Sequence, residues 1–302
     1  MAGLLPIVPD GTKSRPQHHF KLAFRISRWH TYSRMNAIRK IISRDNEQLK
    51  SARRVRDGRD ETKIFLEGVR LISEAARARI ATERVFVTSS FLEELSESEI
   101  KTWLRPRHLF EVSDSTLQSI ADTNSPQGII AIADRPATGP DQIPPVSTRS
   151  TPVVVFLSRI NNPSNLGAVV RAAEAAGVAG VITSEGSADV MSPKALRAAM
   201  GSSLRLPLWT DASLDDALAW AKTRKLRTIA ADISGEKSYT DVDWQIPRLV
   251  LFGSEAHGFD ELELEKIEEK MVIPMEKDVE SLNLAVATGV ILFEARRQNS
   301  IR

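Results

Sequence analysis

The chain has 302 residues, 42% of them hydrophobic and 26% charged, and a net charge of only +2; that length allows two domains with their own cores, and that composition excludes a disordered or fibrous chain. There is no cysteine, which rules out a disulfide framework, a thiolate zinc site and a cysteine nucleophile, and fits a reducing compartment. No uncharged apolar run reaches the ~18 residues that span a bilayer, and "MAGLLPIVPDGTKSRP" lacks the pattern of a secretory signal, so the expectation is a soluble, cytoplasmic protein.

Taken in chain order, residues 1–35 carry Lys13, Arg15, Lys21, Arg25, Arg28 and Arg34 against Asp10 alone, with no sustained periodicity. They are expected to be a disordered basic extension, and Met35, which opens the first stretch that reads as folded protein, is a candidate natural start. Residues 36–63 add a second basic cluster that includes Arg44, Arg53 and Arg54, interleaved with Asp45, Glu47, Asp57, Asp60 and Glu61. Such a cluster is either a surface for a polyanion, where each phosphate contact releases counterions, or a solvated helix face.

Residues 36–135 read as a small α/β unit. "ETKIFLEGVRLISEAARA" begins as a strand and becomes an amphipathic helix, and 84–90, 108–114 and 127–135 are strand-like. Residues 136–152 hold Pro136, Pro140, Pro144, Pro145 and Pro152 with few apolar side chains and read as a linker. From 153 to the end the alternation is regular: strands at 153–157, 180–184, 227–233, 248–254 and 270–275, helices at 166–176, 193–200, 213–225, 260–269 and 282–297. The strands are continuous apolar runs, the pattern of a parallel sheet covered on both faces.

Ligands of open parallel sheets collect at the loops leaving the carboxyl ends of strands. Three such loops are unusual: "NNPSNLG" (161–167), "GSEAHGF" (253–259) and "PMEKDVESLNLA" (274–285). They are not phosphate sites of the common kinds. No G-x-G-x-x-G follows a strand, and Gly253 and Gly258, though at P-loop spacing, are followed by Phe259 and Asp260 where Lys and Ser or Thr are required. Glu255 inside the loop would repel a phosphate. A glycine-rich loop with an acid suits a ligand with hydroxyls or positive charge, and S-adenosylmethionine has both.

These motifs resemble those of the SpoU/TrmH-type RNA ribose 2′-O-methyltransferases of the SPOUT superfamily. Asn165, Gly167 and Arg171 in "NPSNLGAVVRAAEAAGV" match a first motif, Gly253, Glu255 and Gly258 in "LVLFGSEAHGF" a second, and Ser281, Leu282 and Asn283 in "VIPMEKDVESLNLAVATGVILFE" a third. "SPKALRAAMGSSLRLP" (192–207) is similar to a further family segment, and "SRDNEQLKSARRVRD", "FLEGVRL" and "SPQGIIAI" look like the family's N-terminal RNA-binding domain. The likeness covers about residues 36–298. It implies a knotted methyltransferase domain (153–302) with a deep trefoil knot behind a smaller RNA-binding α/β domain (36–135), a homodimer with its site completed across the interface, S-adenosylmethionine as cofactor, no metal, and methylation of a ribose 2′-hydroxyl. Ribosomal RNA is the expected substrate; transfer RNA, and a non-catalytic RNA-binding or ribosome-assembly role, are the alternatives.

By position in the motifs, Arg171 is the implied catalytic arginine. Asn165, Glu255, Ser281 and Asn283 are to orient it, the ribose or the cofactor, which backbone groups at Gly253, Ile273 and Leu282 are to contact. Arg44, Arg53, Arg54, Arg197 and Arg205 are candidate RNA contacts. Each residue also has a plainer reading. Asn165 is placed to cap its helix, Arg171 to pair with Glu174 at i, i+3, and Ser281 to cap the last helix. Gly253 and Gly258 suit turn geometry alone, and His257 reads as a surface residue.

Overall fold

The computed structural model describes residues 38–94, 108–146, 151–277 and 279–300, and the chain from Lys40 onward forms one compact unit. The basic extension and the Met35 start therefore lie outside the described residues.

The first domain opens with α1 (Glu47–Arg56), capped by the Asn46 side chain, which accepts from the Gln48 amide at 2.9 Å; Leu49, Ala52 and Val55, three residues apart, form its buried stripe. Then come β1 (Lys63–Glu67), α2 (Val69–Arg77), β2 (Thr82–Thr88), α3 (Ser89–Glu94), β3 (His108–Val112), α4 (Asp114–Ile120) and β4 (Ile129–Asp134). These strands lie in the order β3-β2-β4-β1, with β2 parallel to β3 and β4 antiparallel to both of its neighbours, and a short strand ending at Lys40 forms the outer edge. Phe65, Phe86 and Phe110 fill the core below α1, and the rings of Phe86 and Phe110 stack at 5.3 Å. Strand β2 stops two residues before the expected 90. Thr88 Oγ1 accepts from the Phe91 amide at 3.3 Å, which turns the chain into α3.

The proline-rich stretch is partly docked rather than free. The Gly139 amide donates to Leu208 O at 2.9 Å, Thr138 Oγ1 meets Thr210 Oγ1 at 2.9 Å, and Ile143, 1% exposed, sits in the core of the second domain beside Val154 and Phe156. Ile143 contributes about 2 kcal/mol to this anchoring, the worth of burying such a side chain.

The second domain contains β5 (Val153–Leu157), α5 (Pro163–Ala176), β6 (Gly180–Ser184), α6 (Pro193–Ala199), β7 (Leu208–Ala212), α7 (Leu214–Thr223), β8 (Arg227–Ala231), β9 (Lys237–Ser238), β10 (Arg248–Phe252), α8 (Glu261–Glu265), β11 (Glu269–Val272) and α9 (Leu284–Ser300). All pairings in its sheet are parallel, in the order β9-β11-β8-β10-β5-β6-β7. Strands β5, β6 and β10 are buried along their whole length, as their apolar runs require. Strand β7 escaped the sequence reading because it is an edge strand whose middle residues, Trp209, Thr210 and Asp211, are not buried.

Two helix starts differ from expectation. Helix α5 begins at Pro163, not at 166, with Asn162 as its cap: the Asn162 side chain accepts from the Ser164 amide at 2.9 Å and Pro163 takes the first helical position. Asn165 is thus inside the first turn and caps nothing. Helix α9 is capped by Asn283, whose Oδ1 accepts from the amides of Ala285 (2.9 Å) and Val286 (3.4 Å), and not by Ser281. Helix α8 ends at Glu265 rather than 269, since Ile267 turns into the core and β11 starts two residues later. Among the described residues, no helix is long and apolar enough to cross a membrane.

Candidate active site

The sheet order reverses between β5 and β10. From β5 the chain runs outward through β6 and β7; it then returns to the other side for β8, β10 and β11. The loops leaving two adjacent strands therefore diverge at this point and open a crevice at the carboxyl end of the sheet. A cleft of about 890 Å³ lies there, lined from four adjacent strands: Asn165 after β5, Asp232, Ile233 and Ser234 after β8, Gly253–Gly258 after β10, and Ile273, Met275 and Glu280–Asn283 after β11.

Hydrogen bonds tie the two sides of the reversal together. Asn165 Nδ2 donates to Glu255 Oε1, and Asn283 Nδ2 donates to Asn165 Oδ1 at 3.3 Å. One side-chain amide thus joins the three motif loops, using its donor toward β10 and its acceptor toward α9. A second link braces the rim. Arg159, in the left-handed region at φ 50° just after β5, makes a two-pronged ion pair with Glu263 of α8 at 2.7 and 2.9 Å. That hydrogen bond holds the Glu263 carboxyl below its ordinary pKa.

The two loop glycines answer to geometry. A Cβ on Gly253 would stand 2.3 Å from the Gly258 carbonyl carbon and 2.5 Å from the Phe259 nitrogen. Gly258 has φ 65° and closes the loop with paired Ser254–Gly258 backbone bonds of 3.0 Å. The third motif glycine, Gly167, faces the other way: its Cβ would stand 2.3 Å from Ala195 O of α6. It sets the distance between α5 and α6 and does not line the cleft.

Of the residues singled out in the sequence, Asn165, Glu255, Ser281, Asn283, Gly253, Ile273 and Leu282 all line this cleft. Arg171 does not. It stands exposed on α5 with no hydrogen bond or ion pair among the described residues; Glu174, its expected i+3 partner, is taken by Arg205 at 2.7 and 2.8 Å. His257 lies on the cleft wall, exposed.

The five candidate RNA arginines are scattered. Arg44 and Arg54 are exposed and unpaired among the described residues. Arg53 is engaged at the end of α4, donating to Ser119 O at 3.3 Å and Ser119 Oγ at 3.1 Å. Arg197 pairs with Asp122 of the first domain at 2.6 Å, and Arg205 pairs with Glu74 of the first domain as well as with Glu174.

Asp232 went unnoticed in the sequence because the strand was read through residue 233. The strand ends at Ala231, and the rule that ligands sit just past a strand's carboxyl end would have marked the acid that follows. Asp232 Oδ1 accepts from the Ser234 amide (2.8 Å) and hydroxyl (2.7 Å), and Oδ2 stands 3.8 Å from where a Gly258 Cβ would be, which leaves that oxygen toward the cleft. Among the described residues no group of three His, Cys, Asp or Glu side chains could hold a metal ion.

Comparison with known proteins agrees with this geometry. Residues 152–293 match the SpoU rRNA Methylase family and residues 46–131 an MRM3-like substrate binding domain. An uncharacterized tRNA/rRNA methyltransferase of Synechocystis is 32% identical over 88% of this chain and 97% of its own. A 23S rRNA guanosine 2′-O-methyltransferase of Bacillus subtilis is 24% identical over 86% of this chain and all of its own. Among solved structures, the AdoMet-bound rRNA methyltransferase of Sinorhizobium meliloti superimposes with a TM-score of 0.75, 26% identity and coverage of 86% of this chain and 98% of that one. The SpoU methyltransferase AviRb of Streptomyces viridochromogenes gives 0.74, 26%, 85% and 98%. With its fold, its three converging motif loops and its relatives in agreement, this chain belongs to the SpoU rRNA methylase family.

Proposed function

We propose that this protein is an S-adenosylmethionine-dependent methyltransferase that modifies a ribose 2′-hydroxyl of ribosomal RNA. The observation that carries this reading is the junction of Asn165 with Glu255 and Asn283 in a cleft at the sheet's reversal point. The cleft suits the cofactor. It is bordered by backbone that Gly253 allows to come close, and it is lined by carboxylates with no Lys or Arg among the described residues. Gly253, Ile273 and Leu282 would hold the cofactor, with Asn165, Glu255, Ser281 and Asn283 around its reactive end. When bound, the cofactor supplies an already activated methyl group on a sulfonium.

The protein's task is then to make the ribose hydroxyl a nucleophile and to hold it in line. Arg171 is the assigned catalytic group. A guanidinium stays protonated in proteins, so it serves best by stabilising the alkoxide that develops, or by holding the neighbouring phosphate. Its place outside the cleft of its own chain supports a homodimer in which the site is completed across the interface. Val286 (52% exposed), Val290 (36%) and Phe293 (50%), spaced along one face of α9, supply an apolar surface for that contact. In this reading α9 ends a trefoil-knotted chain, the first domain grips RNA through Arg44 and Arg54, and a chain without cysteine works in the cytoplasm.

The test is a map of 2′-O-methyl groups in total RNA from cells with and without the gene, followed by transfer assays with purified protein on the RNA that loses a mark. An unchanged map, with no transfer to ribosomal RNA in vitro, sinks the proposal.

A further inference from the structure

Methyl transfer changes the charge of the small molecule in the cleft. S-adenosylmethionine carries a sulfonium, an ammonium and a carboxylate, for a net charge of +1, while the demethylated product has a neutral thioether and a net charge of zero. The two differ otherwise by one methyl group, and a hydrophobic pocket separates such pairs poorly. Charge is the larger handle.

The cleft has such a handle. Asp232, Glu255, Glu261 and Glu280 line it, and among the described residues no Lys or Arg does. Three of the four acids are exposed, so water and salt screen them; Asp232 is part-buried. Its orientation is also fixed. Both donors of Ser234 hold Oδ1, at 2.8 and 2.7 Å, while Oδ2 faces Gly258 of the glycine loop. Glu255 also has one oxygen bonded, to Asn165, but it is exposed. Asp232 is therefore the least screened preset negative charge in the cleft.

We propose that Asp232 is a specificity residue which makes the cleft prefer the cationic methyl donor to its neutral product, so that transfer itself weakens retention of the spent cofactor. This rests on the placement of the cofactor in this cleft given above.

The test compares wild type with Asp232→Asn, which keeps the shape and the acceptor for Ser234 and removes only the charge. Binding of three probes is measured by calorimetry at low and high salt: S-adenosylmethionine, S-adenosylhomocysteine, and sinefungin, which has an amine in place of the sulfonium. The variant is expected to bind the two cationic probes about five- to tenfold more weakly and S-adenosylhomocysteine within twofold of wild type, the scale of one unit charge in a partly buried site. High salt should shrink the wild type's preference. Equal losses for all three probes, or no loss for any, overturn charge selection while leaving the cofactor's placement intact. Failure of wild type to bind any of the three overturns that placement and the proposal with it. Should Asp232→Asn fail to fold, Asp232→Ser takes its place: a loss for the two cations with S-adenosylhomocysteine within twofold of wild type supports the proposal, and an equal loss for all three overturns it.

Discussion

Arg205 holds two domains with one guanidinium: its Nε and Nη2 grip Glu174 of α5 at 2.7 and 2.8 Å, and its Nη1 pairs with Glu74 of α2 in the first domain. Arg197–Asp122 at 2.6 Å and Arg135–Asp189 at 2.5 Å cross the same boundary. An arginine so occupied is a strut between domains more than a free hand for phosphate. Arg205→Ala is expected to cost about 1 kcal/mol, the upper end for a partly exposed pair, and to loosen the first domain. RNA affinity should fall several-fold while cofactor affinity stays within twofold, as read by filter binding and calorimetry.

Among the described residues Arg171 is unpaired, and it lies outside its own cleft, so its loss should leave the fold alone. Arg171→Ala is expected to keep Tm and cofactor affinity close to wild type and to lower methyl transfer by about 10²–10³-fold, the cost of removing one positioned donor to a developing oxyanion. Single-turnover transfer with saturating cofactor checks this, and full activity would falsify the assigned role.

Gly167→Ala should act through packing. The added carbon meets Ala195 O at 2.3 Å, and it also faces Ala198 Cβ at 2.8 Å and Ala199 N at 2.9 Å. Two of these are backbone atoms of α6 that cannot rotate away, so α5 must shift. A loss of about 1–3 kcal/mol in stability is expected, as for an overpacked core, with weaker cofactor binding because Asn165 rides on the same helix. Chemical denaturation and calorimetry on one preparation test both parts.

The Arg159–Glu263 pair sets a pH dependence. The Glu263 pKa is lowered in the fold, chiefly by the hydrogen bond from Arg159. A lowered carboxylate pKa adds stability that is complete above the unfolded value of about 4.3 and is lost as pH falls below it toward the folded value. Tm of wild type should therefore drop more steeply below about pH 4.5 than Tm of Glu263→Gln, which has no proton to take up there. Parallel slopes would remove the pair from the account of acid stability.

Much of the second domain was legible because its strands are continuous apolar runs. "VVVFL" is β5 to the residue, since each of its side chains is buried and nothing competes for them. The cleft residues were legible because three motif loops follow such strands. What stayed hidden depended on distant partners or on local competition between similar residues. Three asparagines crowd the start of α5, and which one caps it was decided by Pro163, which puts Asn162 just before the first turn. The engagement of Arg205 could not be read locally, because Glu74 lies 131 positions away. Asp232 was lost to a strand boundary set two residues too late.

The junction through Asn165 also bears on when the site can exist. Its partners come late: Glu255 is 90 positions on and Asn283 is 118. A growing chain would complete the first domain, and much of the parallel sheet, long before the last wall of the cleft was made. Cofactor capture therefore reports that synthesis has reached α9. A chain stopped short of that helix would lack the last wall of the cleft and the Asn283 bond that closes the junction.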